Sequence, residues 1–235
     1  MYNLTAADFA DTGQWRLLLN IYGDGMEAFL ENTLHPDIEL QKLCKVEWDP
    51  RNDSLCRNLE EAVYNNPRLL DDFATRIVVF DPRTLFIPKS LAEESAGSEE
   101  ELYQKIYKAS AKDVMFDSEG DITAVWCLAP GVKSFLMRTF PGARISCNLL
   151  EKIRTERKRL KDLGRDADTP ETAEDGEMKV IKEVRDGEVD LILMKGTSLI
   201  SASTHPYSSW EEIENLITNL KTAYRLTGSP LLIEE

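Results

Sequence analysis

The sequence predicts an α/β protein in which one strand–turn–strand–strand–helix–strand unit is used twice. The first observation behind this is a repeated hairpin. An apolar run, Arg16-Leu17-Leu18-Leu19-Asn20-Ile21-Tyr22, turns through Gly23-Asp24-Gly25 into Met26-Glu27-Ala28-Phe29-Leu30. The pattern returns as Lys179-Val180-Ile181-Lys182-Glu183-Val184, a turn at Arg185-Asp186-Gly187, and Glu188-Val189-Asp190-Leu191-Ile192-Leu193-Met194. Second, both hairpins lead into another strand-like run, an amphipathic helix and an apolar strand. The third observation is the acidic stretch 166–177, which holds a Thr-Pro step and no apolar period, as a linker does.

Taken in order, residues 1–14 are polar and form a lead-in. In the first strand Leu17, Leu19 and Ile21 share a face, and the apolar Leu18 suits a strand covered on both sides. Asp24-Gly25 is expected to supply the positive backbone angles of a tight hairpin. A third strand is expected over 38–48, after a turn at His35-Pro36-Asp37. The loop 49–53 ends in an N-cap, and the next helix puts Leu55, Leu59, Ala62 and Val63 on one face. A short helical turn at 68–73 and a strand at 76–80 complete the first unit.

The middle of the chain reads as an extended piece at 84–88, a polar loop at 92–98 and a helix at 99–110. That helix turns Leu102, Ile106 and Ala109 inward, with Tyr103 and Tyr107 beside them. Paired strands are expected at 113–117 and 121–128, with Trp126 in the core. A helix at 131–140 buries Val132, Phe135, Leu136 and Thr139, and a short strand comes next at 144–147. The helix 148–163 has an apolar stripe of Leu149, Ile153, Leu160 and Leu163. Its other side carries Lys152, Arg154, Arg157, Lys158, Arg159 and Lys161, a cluster able to bind phosphate or acidic protein, although a solvated face is the usual meaning of such a run. In the second unit a strand covers 199–204 and Ser209-x-x-Glu212 has the form of a capping box. The helix behind it buries Ile213, Leu216, Ile217, Leu220 and Ala223 or Tyr224. Gly228 ends that helix, and a last strand covers 231–233.

Composition narrows the function classes. A formal charge of -14 opposes non-specific binding to nucleic acid or anionic lipid. The four cysteines form no C-x-x-C pair, which argues against a zinc site or a disulfide framework and fits a reduced, cytoplasmic chain. No signal peptide is visible at the start, and the apolar stretch at 124–132 is too short for direct membrane insertion.

Two such units in one chain resemble the actin-like ATPase (ribonuclease H-like) fold, in which nucleotide binds between the hairpin turns of two lobes. The pieces at 84–88, 99–110, 113–128 and 131–140, then Gly142-Ala143-Arg144-Ile145, resemble the pilus-assembly and cell-division actin homologues. Those carry a small extra subdomain in the first lobe. Arg76-Ile77-Val78-Val79-Phe80 with Thr84-Leu85-Phe86-Ile87-Pro88 after it is similar to an uncharacterised bacterial domain-of-unknown-function family with this fold. So is the run 196–204 together with Tyr207-Ser208-Ser209-Trp210-Glu211-Glu212. The resemblance implies a first lobe at 1–163 with a subdomain at about 84–128, the acidic linker at 164–177, and a second lobe at 178–235 that looks truncated.

The resemblance also says where nucleotide chemistry belongs, and the residues there are degenerate. An ATPase of this fold needs main-chain N–H groups at both turns for phosphate, a carboxylate beside the first turn for Mg²⁺ and a polar group to orient water. The family's first turn reads Asp-x-Gly-Ser/Thr. Here Asn20 or Tyr22 stands for the acid and Met26 for the hydroxyl. In the second turn Glu188 sets a negative charge where phosphate belongs. If nucleotide binds, Gly23, Asp24, Gly25, Asp186 and Gly187 are its expected contacts, with ATP and Mg²⁺ as the cofactor. Otherwise no cofactor, catalytic residue or metal ligand is assigned.

His35 and His205 each precede Pro and read as turn residues. Ser201 and Ser203 alternate along a strand, and no nucleophile is assigned there. Asp71-Asp72 reads as helix-end solvation. The expected function is therefore a non-catalytic actin-like scaffold, a pseudo-ATPase that binds a protein partner, with a homodimer as one form of that. The alternative is a nucleotide-binding protein or weak ATPase. The surface implied for a partner lies near 84–110 and 121–128, including the edge of the 113–117 strand.

Overall fold

The computed structural model describes residues 12–35, 38–49, 51, 54–80, 83–94, 98–108, 113–162, 178–185, 187–226 and 232–234. The expected linker at 164–177 and the helix stop at Gly228 lie outside these residues.

The strands are β1 (Trp15–Ile21), β2 (Gly25–Asn32), β3 (Gln41–Glu47), β4 (Ala74–Val79), β5 (Leu85–Pro88), β6 (Val114–Glu119), β7 (Ile122–Cys127), β8 (Arg144–Cys147), β9 (Met178–Arg185), β10 (Glu188–Lys195), β11 (Ser198–Pro206) and β12 (Leu232–Glu234). The helices are α1 (Leu55–Tyr64), α2 (Lys89–Glu94), α3 (Ser98–Tyr107), α4 (Val132–Thr139), α5 (Asn148–Asp162) and α6 (Trp210–Ala223). One sheet is ordered β3-β2-β1-β4-β8 and another β11-β10-β9-β12, while a three-stranded sheet is ordered β5-β7-β6.

The first two sheets repeat one topology. β1 pairs antiparallel with β2 and parallel with β4, and β2 pairs antiparallel with β3. Likewise β9 pairs antiparallel with β10 and parallel with β12, and β10 pairs antiparallel with β11. In each case a helix, α1 or α6, stands between the third strand and the fourth. The duplication legible in the sequence is thus a duplication of sheet order and strand direction.

The chain divides into two compact units. One comprises Met1–Asp81, Gly97–Asp117 and Val125–Asn148; the other comprises Pro82–Ala96, Ser118–Ala124 and Leu149–Glu235. In the first, strand alternation sends Leu17, Leu19 and Ile21 from β1 and Met26, Ala28 and Leu30 from β2 into the core. Leu59 and Val63 of α1 and Phe135 and Leu136 of α4 are buried with no more than 1% exposed. Ser54 caps α1 through its side chain, which accepts from the Arg57 N–H. In the second unit Val180, Val189, Leu191 and Leu193 pack with Ile213 and Ile217 of α6. Ile192 and Met194, on the opposite face of β10, are also buried, so this central strand is covered on both sides.

Some expectations shift. The polar loop at 92–98 is shortened by α2, and α3 begins at Ser98. α3 buries Tyr103 completely and leaves Ile106 half exposed, so its inward face is rotated from the one centred on Leu102 and Ile106. Tyr103 and Tyr107 contact each other at 4.8 Å between ring centroids. Ala223 and Tyr224, the alternative expected members of the buried stripe of α6, are both exposed. The capping box at α6 is modified: Glu212 N–H donates to Ser209 Oγ, but the Glu212 carboxylate accepts from the N–H of Ser208.

Candidate functional site

Gly23, Asp24 and Gly25 share the β1–β2 turn. Neither Asp24 nor Gly25 adopts a positive φ, contrary to the expectation for an Asp-Gly hairpin. The turn is closed instead by the Tyr22 N–H, which donates to the Gly25 carbonyl at 2.8 Å. Trp48, one residue past β3, then fixes it from the side. Its main-chain N–H donates to the Asp24 carbonyl at 2.8 Å and its indole Nε1–H to the Gly23 carbonyl at 3.0 Å. Gly25 is required by close approach: a Cβ there would lie 2.6 Å from the Val46 carbonyl oxygen. The N–H groups of Gly23 and Asp24 meet no protein acceptor among the described residues.

No carboxylate ends β1. The Tyr22 ring stacks on Phe80 at 4.4 Å, and Met26, at the position where the fold's phosphate chemistry needs a hydroxyl, is fully buried in the core. These side chains do not fit a Mg²⁺·phosphate site, because the inward positions beside the turn are apolar and packed.

The β9–β10 turn is built by a parallel device. Gly187 has φ +73° and open space around its absent Cβ, so glycine here answers to conformation and not to crowding. Asp186 lies outside the described residues. Tyr207, one residue past β11, donates its main-chain N–H to the Gly187 carbonyl at 3.0 Å and its hydroxyl to the Arg185 carbonyl at 3.0 Å. An aromatic residue at the same place in both repeats thus latches the hairpin turn through its backbone and its side chain. Glu188 is paired with Arg185 at 3.1 Å, so its charge is answered within the hairpin.

A network of charges runs beside this turn. Arg185 donates to both carboxylate oxygens of Asp190, which is buried. Asp190 also accepts from the Thr204 hydroxyl at 2.6 Å, and Lys152 Nζ lies 3.7 Å away while contacting Glu183. Burial pushes Lys152 down, to about 8, with Asp190 opposing the shift and Arg185 adding to it. Nearby, buried Glu156 binds Arg159 through both oxygens and Lys179 at 2.9 Å. Burial raises the Glu156 carboxyl, but the hydrogen bonds and charges of Arg159 and Lys179 outweigh it and hold the group below its ordinary value.

The basic side of α5 is therefore not one solvated face. Arg154 donates to Glu119, Glu151 and the Ser118 carbonyl. Arg157 donates to the Glu119 carbonyl at 2.7 Å, to Asp121 at 2.7 Å and to the Thr197 carbonyl at 2.9 Å. It ties the β6–β7 turn to the β10–β11 turn, and a Cβ on Gly120 would meet its Nη1 at 2.7 Å. Lys158 and Lys161 remain exposed. Sequence reasoning misses Asp190; the signal that could find it is an acid inside an otherwise apolar strand, which burial obliges to find partners.

Of the other residues, His205 is a strand residue and not a turn residue. Its Nε2 lies 2.8 Å from Ser203 Oγ, two positions away on the same strand face. Among the described residues no group of three or more His, Cys, Asp or Glu side chains is placed to hold a metal ion. Among them, too, no helix is long and apolar enough to cross a membrane.

Comparison with solved structures places this geometry in a fold class. The chain is similar to a Bacteroides thetaiotaomicron protein with an actin-like ATPase fold and unknown function, at 17% identity and a TM-score of 0.74, over 93% of this chain and 80% of that one. It also matches the PilM-PilN type IV pilus biogenesis complex at 12% identity and a TM-score of 0.46, over 93% of this chain and 81% of that one. A third match is the cytoplasmic domain of EpsL, an inner membrane component of the Vibrio cholerae type II secretion system. There the identity is 10% and the TM-score 0.45, over 93% of this chain and 80% of that one. No protein-family model matches the sequence, and no curated protein matches it. The first of the three structural matches, with its higher score, fixes the class. The chain has the actin-like ATPase fold, with mixed sheets in two repeats and an inserted three-stranded sheet.

Proposed function

We propose that this chain is a non-catalytic actin-like protein that acts as a protein-interaction scaffold in a reducing, cytoplasmic setting. The observation that carries the reading is the filling of the first turn: Tyr22 stacked on Phe80 and Met26 in the core, where phosphate chemistry needs a carboxylate and a hydroxyl. The inserted segment supplies a surface. Ile106 on α3 is 50% exposed, and Phe116 on the sheet-edge strand β6 is 49% exposed. Exposed apolar side chains on a helix and a strand edge suit a protein partner better than a small charged ligand. None of the four cysteines is joined in a disulfide, in keeping with a reducing compartment.

A second reading keeps the turns as a nucleotide site, with Gly23, Asp24, Gly25, Asp186 and Gly187 as contacts. The two unbonded N–H groups of Gly23 and Asp24 favour it, since paired main-chain donors suit a phosphate. Thermal unfolding with excess ATP and Mg²⁺ separates the two. A ligand of the native state raises the midpoint by about 2–4 °C per kcal/mol of binding for a chain this size. The scaffold reading expects no rise, and expects a photo-crosslinker at Ile106 to capture a partner that is lost when Phe116→Asp is added. A rise abolished by Gly25→Leu, with no crosslink, overturns it.

A further inference from the structure

We propose that β11 is a homodimer edge, adding antiparallel to β11 of a second copy of this chain. β11 ends its sheet, in the order β11-β10-β9-β12. Beyond its ladder with β10, the main chain of β11 makes no hydrogen bond among the described residues. Its nine residues, Ser198-Leu199-Ile200-Ser201-Ala202-Ser203-Thr204-His205-Pro206, include no Asp, Glu, Lys or Arg.

The other sheet-ending strands are blunted. β3 carries Lys42, Lys45 and Glu47; β6 carries Asp117 and Glu119; β8 and β12 are short and carry Arg144 and Glu234; β5 is short and ends in Pro88. Charges, proline and shortness are the ordinary devices that keep an edge from pairing, and β11 is the long edge without an inward run of them. Its register slips once, where Ile200 is the extra residue against β10, and Pro206 lacks an N–H. The regular stretch left for pairing is 201–205.

The occupant is set by charge. A two-fold axis through an antiparallel pair opposes residues of this stretch only to one another, so no like charges meet. The same two-fold sets the Lys195 end of one strand against the end leading to Glu211 and Glu212 of its mate, an attraction that works against the net charge of -14 on each copy. β11 belongs to one compact unit and Ile106 and Phe116 to the other, so the two proposals share no residue.

Sedimentation of the purified full chain across a wide concentration range tests it, with circular dichroism to verify folding. The wild type is expected to pass from monomer to dimer. Ser203→Lys and Ser203→Glu, each alone, are expected to weaken association about tenfold or more, because the two-fold of the 201–205 stretch sets residue 203 against itself and like charges then face each other. Mixing the two variants is expected to restore a dimer. The double variants Ser201→Lys/His205→Lys and Ser201→Glu/His205→Glu, whose positions oppose each other across the same two-fold, give a second pair should either single variant misfold. A wild type that stays monomeric, a dimer indifferent to these charges, or folded variants that fail to recombine would each overturn the proposal.

Discussion

Three glycines that read alike in the sequence occupy three different physical situations. Gly25 leaves 2.6 Å between a would-be Cβ and the Val46 carbonyl, Gly187 sits at φ +73° in open space, and Gly23 has neither constraint. Their alanine substitutions should therefore rank in that order. Gly25→Ala must push apart two backbones and should cost about 2 kcal/mol or more. Gly187→Ala must hold a left-handed conformation and should cost about 1 kcal/mol. Gly23→Ala should stay within about 0.5 kcal/mol of the parent. Urea unfolding of the three variants checks the ranking; equal costs would mean that turn chemistry, not these local contacts, governs the hairpins. The sequence motif shows that a turn exists, because Asp-Gly between alternating apolar runs has few other meanings. It does not show why each glycine is there, since that depends on Val46 and on a φ value, neither of which is written in the turn itself.

At the scale of elements, the strand alternation was legible because it is local. Leu17, Leu19 and Ile21 announce their face within one strand, and Val189, Leu191 and Leu193 do the same. The fate of α5 was not legible. A helical wheel separates its basic side from its apolar stripe, yet Arg157 meets Thr197 at a separation of 40 residues and Arg154 meets Glu119 at 35. Only the folded topology decides whether such a side chain finds water or a carbonyl. Glu156 shows the energetic consequence. Its folded carboxyl is held below the ordinary value, so the native state stays ionised where the unfolded chain has begun to take up a proton. Its contribution is complete above the unfolded carboxyl pKa of 4.5 and is lost as pH falls through the lower folded value. Glu156→Gln should cost about 3 kcal/mol at neutral pH, because buried Lys179 then loses the Glu156 carboxylate it bonds at 2.9 Å. The gap between variant and parent should close as pH falls below that of the unfolded carboxyl. Chemical denaturation at a series of acid pH values would show it, and a gap independent of pH would assign the loss to packing instead.

The whole molecule carries 42 acidic against 28 basic residues, and its ion pairs leave that imbalance as it is. Arg154, Arg157, Lys179 and Arg185 each spend their charge on a carboxylate. Each such pair takes up one charge of either sign, so the excess of 14 carboxylates stays with the rest of the molecule, and folding brings those like charges together against long-range repulsion. Salt separates this repulsion from the internal pairs by distance. Raising ionic strength from about 0.01 M to about 0.15 M shortens the screening length from about 30 Å to about 8 Å. Repulsion between spread-out carboxylates is then largely removed, whereas pairs in contact at 2.7–3.0 Å whose cation is largely buried are screened far less. The thermal midpoint at neutral pH should accordingly rise across a sodium chloride series by a few degrees and then level off. The same series near the sequence pI of 4.7 should be flat, since little net charge remains to screen. Scanning calorimetry at both pH values provides the comparison. A midpoint that falls with salt at neutral pH would mean that the network around Asp190, Glu156 and Arg157 is screened as surface pairs are, and that α5 holds its neighbours less tightly than its hydrogen bonds imply.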